Sequence, residues 1–184
     1  MKRVIFILMF ALALFSCKSY KPASGNPYYK PLKEFKGDTL AYFNYNFKEH
    51  KDFYIGKKFF VLFNDVENNP KVTPASYYIK EIKRKIISGT YVYTEPEKYR
   101  RAFSALPLEE RVKKARYYDD IYVYFDEDNT IDAEEYYNVC WKEKRAESKD
   151  DDDFSSKLAD CIFDCVIKDI GISHTDMRPV QYRH

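Results

Sequence analysis

The residues of this chain best equipped for chemistry are few: four cysteines, three histidines and a run of acids between residues 126 and 135. The cysteines are Cys17, Cys140, Cys161 and Cys165; the histidines are His50, His174 and His184. Cys161 and Cys165 are spaced i, i+4. That puts both on one face of a helix, a poor arrangement for an unstrained bridge between them. Cys165 and His174 could be drawn as a nucleophile and its base, but nothing in the sequence is spaced to orient them. No Gly-x-Ser-x-Gly, His-Glu-x-x-His or phosphate-loop pattern occurs. Acidic pairs such as Asp119-Asp120 and Glu134-Glu135 carry no weight alone in a chain that is 33% charged. No catalytic residue is assigned, and nothing calls for a cofactor.

The N-terminus supplies a different chemistry. Lys2 and Arg3 precede an uninterrupted apolar run from Val4 to Phe15. The run is too short for a membrane-spanning helix, which needs about 20 apolar residues. A short apolar core behind a basic start is the pattern of an export signal. It ends Leu14-Phe15-Ser16-Cys17, which resembles the lipobox of bacterial lipoproteins. The resemblance implies that residues 1–16 are removed and that Cys17 becomes the acylated first residue, anchored in a membrane by its lipid. An ordinary secretory peptide with an incidental cysteine is the other reading. The next residue is Lys18, not Asp. By resemblance to the sorting rule of some diderm lipoproteins, this favours the outer membrane.

Lipidation of Cys17 would leave Cys140, Cys161 and Cys165 in an oxidising compartment. Three thiols allow at most one internal bridge. A disulfide from Cys140 to Cys161 or Cys165, a zinc site adding His174, and three buried, inert thiols are the open alternatives.

The acids suggest calcium. Asp126-Glu127-Asp128-Asn129-Thr130-Ile131-Asp132-Ala133-Glu134-Glu135 is similar to the later part of an EF-hand loop. The similarity implies Asp126, Asp128 and Glu135 as ligands, with Asn129 at the turn. The pattern fails where Tyr124 stands in place of the first carboxylate. The competing reading is a polar turn leading into a helix whose first turn is rich in acids, as the helix dipole favours.

Without residues 1–16 the chain holds 29 basic and 29 acidic residues. Neutrality argues against nucleic-acid binding and against a polybasic membrane surface. Residues 17–36 hold Pro22, Gly25, Pro27 and Pro31 without periodicity and read as the lipidated cysteine and a flexible tether. Residues 37–184 read as a single domain. Asp38 is a helix N-cap, with Leu40, Phe43 and Phe47 on one face and Gly56 as a stop. Phe59, Leu62, Phe63 and Val66 fit a second helix, although Phe59, Val61 and Phe63 also alternate as a strand would. Residues 73–88 fit either a helix or long strands. Thr90 to Thr94 and Ile121 to Phe125 are strands by composition; residues 96–118 between them fit a helix or a long connection. A helix is expected over Thr130–Ala146, a solvated break over Asp150–Asp153, a helix over Phe154–Cys165 and a closing strand over Val166–Ser173. Helices first and strands later, without a βαβ rhythm, give an α+β class: N-terminal helices, a mainly antiparallel sheet, and a C-terminal helix and strand.

Two short motifs resemble an uncharacterised family of small, aromatic-rich bacterial lipoproteins: Tyr54-Ile55-Gly56-Lys57 after an amphipathic helix, and Val166-Ile167-Lys168-Asp169-Ile170 near the end. The resemblance implies a location and a shape, and brings no activity. The functional expectation is a non-catalytic binding or structural module in the cell envelope, with an envelope protein, peptide or glycan as ligand. An envelope hydrolase is the alternative. The 18 tyrosines could form a sugar- or peptide-binding face or fill a core and pair across a sheet.

Overall fold

A computed structural model describes residues 25–67, 70–78, 85–94, 102–113 and 117–177. Residues 1–24 lie outside it, and with them the expected export signal, Cys17 and the first part of the expected tether. The fold is α+β. Five strands, β1 (Lys71–Tyr78), β2 (Lys85–Tyr93), β3 (Tyr117–Phe125), β4 (Ile131–Asp132) and β5 (Ile167–Asp176), form one antiparallel sheet. The order is β1-β2-β3-β5, with β4 pairing β2. Of the ambiguous residues 73–88, 73–78 lie in β1 and 85–88 in β2, and 79–84 lie outside the described residues. Pro74 cannot donate to a ladder, and it sits in β1, which pairs only with β2 among the described strands.

Asp38 caps α1 (Thr39–Phe43) by accepting from the Ala41 N–H at 2.9 Å. The helix continues as a π-helical stretch, Asn44–Glu49, that buries Phe47 beside Phe43. Helix α2 (Phe59–Asp65) buries Phe59 and Leu62, the faces its helical spacing requires. A short α3 (Leu108–Lys113) lies between β2 and β3. Ile131 belongs to β4, so the following helix starts at residue 133. It runs as Ala133–Glu135, a π-helical Tyr136–Trp141 and Lys142–Glu147, together called α4. The expected break at Asp150–Asp153 is instead the start of α5 (Asp151–Leu158). Asp150 accepts from the Asp153 N–H at 2.8 Å, and capping turns an acidic run into a first turn. The regular helix stops well before Cys165, ending in a 3₁₀ stretch, Ala159–Ile162.

One face of the sheet carries Val72, Val92, Ile121, Val123 and Ile170, all buried with Phe43, Phe47, Phe59, Phe125, Leu158 and Ile162. The two motifs of the lipoprotein resemblance meet here. The Gly56 N–H donates to the Ile167 carbonyl and the Ile167 N–H to the Lys57 carbonyl, both at 2.8 Å. Gly56 turns with φ +75°, a conformation that glycine adopts without strain.

Residues 25–36, expected as flexible tether, are packed onto the body. Asn26 is buried and donates to the Tyr54 hydroxyl at 3.0 Å, which donates in turn to the buried Asp65 carboxylate at 2.8 Å. The Tyr29 hydroxyl donates to Glu67 at 2.9 Å, and the Lys30 N–H to Asn46 at 2.8 Å. A 3₁₀ turn, Leu32–Phe35, adds Leu32 and Phe35 to the edge of the core. Proline and glycine spacing marks irregular backbone and does not reveal whether that backbone is docked.

Tyr29, Tyr54 and Tyr136 make an alkaline prediction. Burial, with neighbouring Tyr42 and Glu67, raises Tyr29 far above the usual phenol range; burial and Asp65 raise Tyr54; burial raises Tyr136. The folded state holds protons that the unfolded chain releases near 10.0. Stability is thus complete below that pH and falls as pH rises beyond it. Phenolate absorbance should rise in two stages, exposed tyrosines first and these three only with unfolding. A single smooth titration with retained structure would contradict the burial.

Candidate functional site

Antiparallel register aligns side chains in rows across a sheet, and opposing residues point to the same face. On the face away from the core one row reads Thr73, Tyr91, Tyr122, Gly171. The next reads Lys71, Tyr93, Asp120, Ser173, and Tyr118 opposes Thr175 beyond it. The rows bring together residues from four strands that lie up to about a hundred positions apart in the chain.

The Tyr91 and Tyr122 rings lie 4.4 Å apart, and Tyr122 and Tyr124 meet edge to face at 4.2 Å. Tyr122 leans over Gly89, where a Cβ would come within 2.9 Å of its hydroxyl and 2.7 Å of the Val123 carbonyl. Glycine is required there because a ring and a backbone oxygen fill the space. Tyr91 and Tyr124 are 37% and 41% exposed, whereas Asp120 is only 4% exposed. Burial, followed by the nearby Asp120 charge, pushes the Tyr91 phenol upward.

A cleft of about 280 Å³ opens on this face. Thr73, Tyr91, Tyr93, Tyr118, Asp120, Ser173 and Thr175 line it, presenting six hydroxyls and one carboxylate. Thr73 and Tyr93 also line a second cleft of about 440 Å³, with Val72, Pro74, Trp141, Phe154 and the Arg145–Asp151 ion pair. The second cleft takes residues from both faces of β1, so the combined groove crosses that end of the sheet. Trp141 is held in place by Tyr137, stacked at 5.2 Å, and by Phe154, edge-on at 5.0 Å.

The structure joins Cys140 to Cys161, with Cα atoms 6.1 Å apart, and leaves Cys165 as a buried free thiol. The bridge ties the π-helical stretch that ends in Trp141 to the 3₁₀ stretch after α5, and so fixes one wall of the groove. Burial, with a smaller contribution from Asp164, pushes the Cys165 thiol up to about 11, the reverse of an activated nucleophile. Its drawn partner His174 is elsewhere: Nδ1 lies 2.7 Å from the Asp119 carboxylate, and the ring stacks on Tyr117 at 4.5 Å.

Asp126, Asp128 and Glu135 are not assembled around an ion. Among the described residues no group of three or more His, Cys, Asp or Glu side chains could hold a metal, which also separates His174 from the three thiols. Asp126 instead accepts from the Asp128 N–H at 3.4 Å, and Asp132 caps α4 through the Glu134 N–H at 2.9 Å. Their polarity serves turn and cap, the competing use of such residues.

The sequence reading missed Asp120 and Trp141 as groove residues, and missed the Asp119–His174 pair. The available signal was cross-strand register, since 117–125 paired with 167–176 places each residue opposite its partner. Among the described residues no helix is long and apolar enough to cross a membrane. No known protein family, curated protein or solved structure matches the chain.

Proposed function

We propose that the protein is a lipid-anchored, non-catalytic binding module of the bacterial cell envelope, held by Cys17 in the outer membrane and presenting the sheet groove to a ligand. The anchor rests on the basic start, the short apolar run and the lipobox-like Leu14-Phe15-Ser16-Cys17. The binding role is carried by one observation: rings and hydroxyls of four strands converge around the buried Asp120 carboxylate in an open groove. Concave sites with a few convergent polar groups are the usual form of ligand sites. An envelope hydrolase is the second reading, favoured only by His174 held by Asp119 as a general base is held.

Metabolic labelling with a clickable palmitate analogue tests the anchor, on wild type and Cys17→Ala. Label on the wild type that is lost in the variant is expected. Label absent from both would overturn the anchor.

A further inference from the structure

We infer that the aromatic patch at the start of α2 docks into the surface of the anchoring membrane. The inference rests on the lipid anchor proposed above and gives the anchored body an orientation. Phe60 is 49% exposed and meets Phe163 edge to face at 5.4 Å. Phe63 lies 5.1 Å from the same ring, and both Phe63 and Phe163 are only partly buried. Helical spacing sets Phe60 and Phe63 side by side, at i and i+3. Phe59 and Leu62 already supply the core contacts of α2, so its fold does not call for an aromatic ring at position 60.

The place where the chain leaves the body selects the occupant. Asn26 and Asp65 hold the same Tyr54 hydroxyl, at 3.0 and 2.8 Å. Asp65 closes α2, so the chain toward Cys17 departs beside that helix. Phe60 lies about 7.5 Å back along the helix axis. Residues 18–24 span at most about 28 Å, which keeps an acylated Cys17, and the bilayer around its lipid, within reach of the patch. Tyr28, close to Asn26 in the chain, is 55% exposed and adds a ring at this exit, stacked on His50 at 4.6 Å. Aromatic rings favour the boundary between headgroups and acyl chains.

Charge and area point the same way. Lys58 at the rim is paired with Asp164 at 2.6 Å, and Lys57 lies over the Phe53 ring. With charges balanced across the chain beyond residue 16, the attraction is apolar and not ionic. Three partly exposed rings offer on the order of 200 Å². A stable protein interface needs roughly 800 Å² from each partner. A bilayer needs no such area, because the lipid already holds the body beside it and the patch has only to orient it.

The full chain, expressed with its signal and purified in detergent, is reconstituted into phosphatidylcholine vesicles that carry a diazirine on the acyl chain. After illumination, lipid adducts are mapped by mass spectrometry. Adducts on Phe60, Phe63 or Phe163 are expected, at yields well above those on Tyr91 and Tyr124. These two tyrosines are 37% and 41% exposed on the sheet face away from the core. Phe60→Ala should lower the yield on Phe63 and Phe163 roughly three- to tenfold, the loss of about half a buried ring, and Phe60→Trp should retain it. Added salt should leave the yields unchanged. Adducts confined to residues 17–24, equal yields on Tyr91 and Tyr124, or loss of patch adducts in salt would overturn the inference. So would a dimer in detergent that Phe60→Ala converts to monomer, which would give the patch to a second copy. Flotation of the same vesicles reads the anchor separately. A chain that floats without patch adducts keeps the anchor and removes the docking; patch adducts on a chain that does not float do the reverse.

Discussion

Replacing Phe59 by alanine is expected to lower folding stability by about 3–5 kcal/mol. Phe59 is fully buried at the junction of helix and sheet. Its ring centroid lies 5.8 Å from those of Phe63 and Phe125 and 6.3 Å from that of Phe163, and its N–H donates to the Cys165 carbonyl at 2.8 Å. Alanine keeps the backbone bond and deletes the ring that three others pack against. Surrounding rings are stiff, so the void would close only in part. Against a typical total of about 5–15 kcal/mol, such a loss puts the fold near its limit. Phe60 is the natural control: the next residue, of the same type, but 49% exposed and in edge contact with Phe163. Its alanine variant should lose well under half as much. Equal losses in urea denaturation would show that α2 does not present Phe59 to the core.

The second large effect concerns the Cys140–Cys161 bridge. It closes a separation of 21 residues, and loops of that size are stabilised by about 3 kcal/mol through restriction of the unfolded chain. The double variant Cys140→Ala/Cys161→Ala should lose stability of that order. Cys165→Ala should lose less, since it removes one buried sulfur and no crosslink. Reducing agent should reproduce the double variant in the wild type and leave the double variant unchanged. A Cys165→Ala effect as large as the double variant's would indicate a different pairing. The bridge also braces the Trp141 wall, so its loss should increase acrylamide access to that ring before global unfolding.

Several elements were legible from local pattern. Asp38 as a cap, the Phe43/Phe47 face and the strand cores at 90–93 and 121–125 follow from spacing and composition, whereas the helical spacing of α2 competed with an alternating one. The unread parts share a physical cause: they depend on what lies across space. Pro74 argues against a central strand, and only its place on an outer strand makes β1 possible. Tyrosine counts as apolar in a pattern yet carries a hydroxyl. The strand Ile121 to Phe125 therefore hid that Tyr122 and Tyr124 face away from Ile121 and Val123. Asp120 looked like half of an ordinary acidic pair until register set it between Tyr93 and Ser173. Cysteine pairing was likewise open, because the end of the regular helix before Cys161 is not written in the i, i+4 spacing.

The docking of residues 25–36 changes what a lipid on Cys17 would mean. A leash free through residue 36 could extend about 70 Å, whereas only residues 18–24 separate Cys17 from the docked chain, a span of at most about 28 Å. The volume the body can sweep shrinks by roughly fifteenfold, and the effective concentration of anything held within that volume rises to match. With Cys17 acylated, the groove would act as a short-range receptor. A weak affinity would be enough for ligands presented by the anchoring membrane or the layer beside it, and more distant ones would stay out of reach.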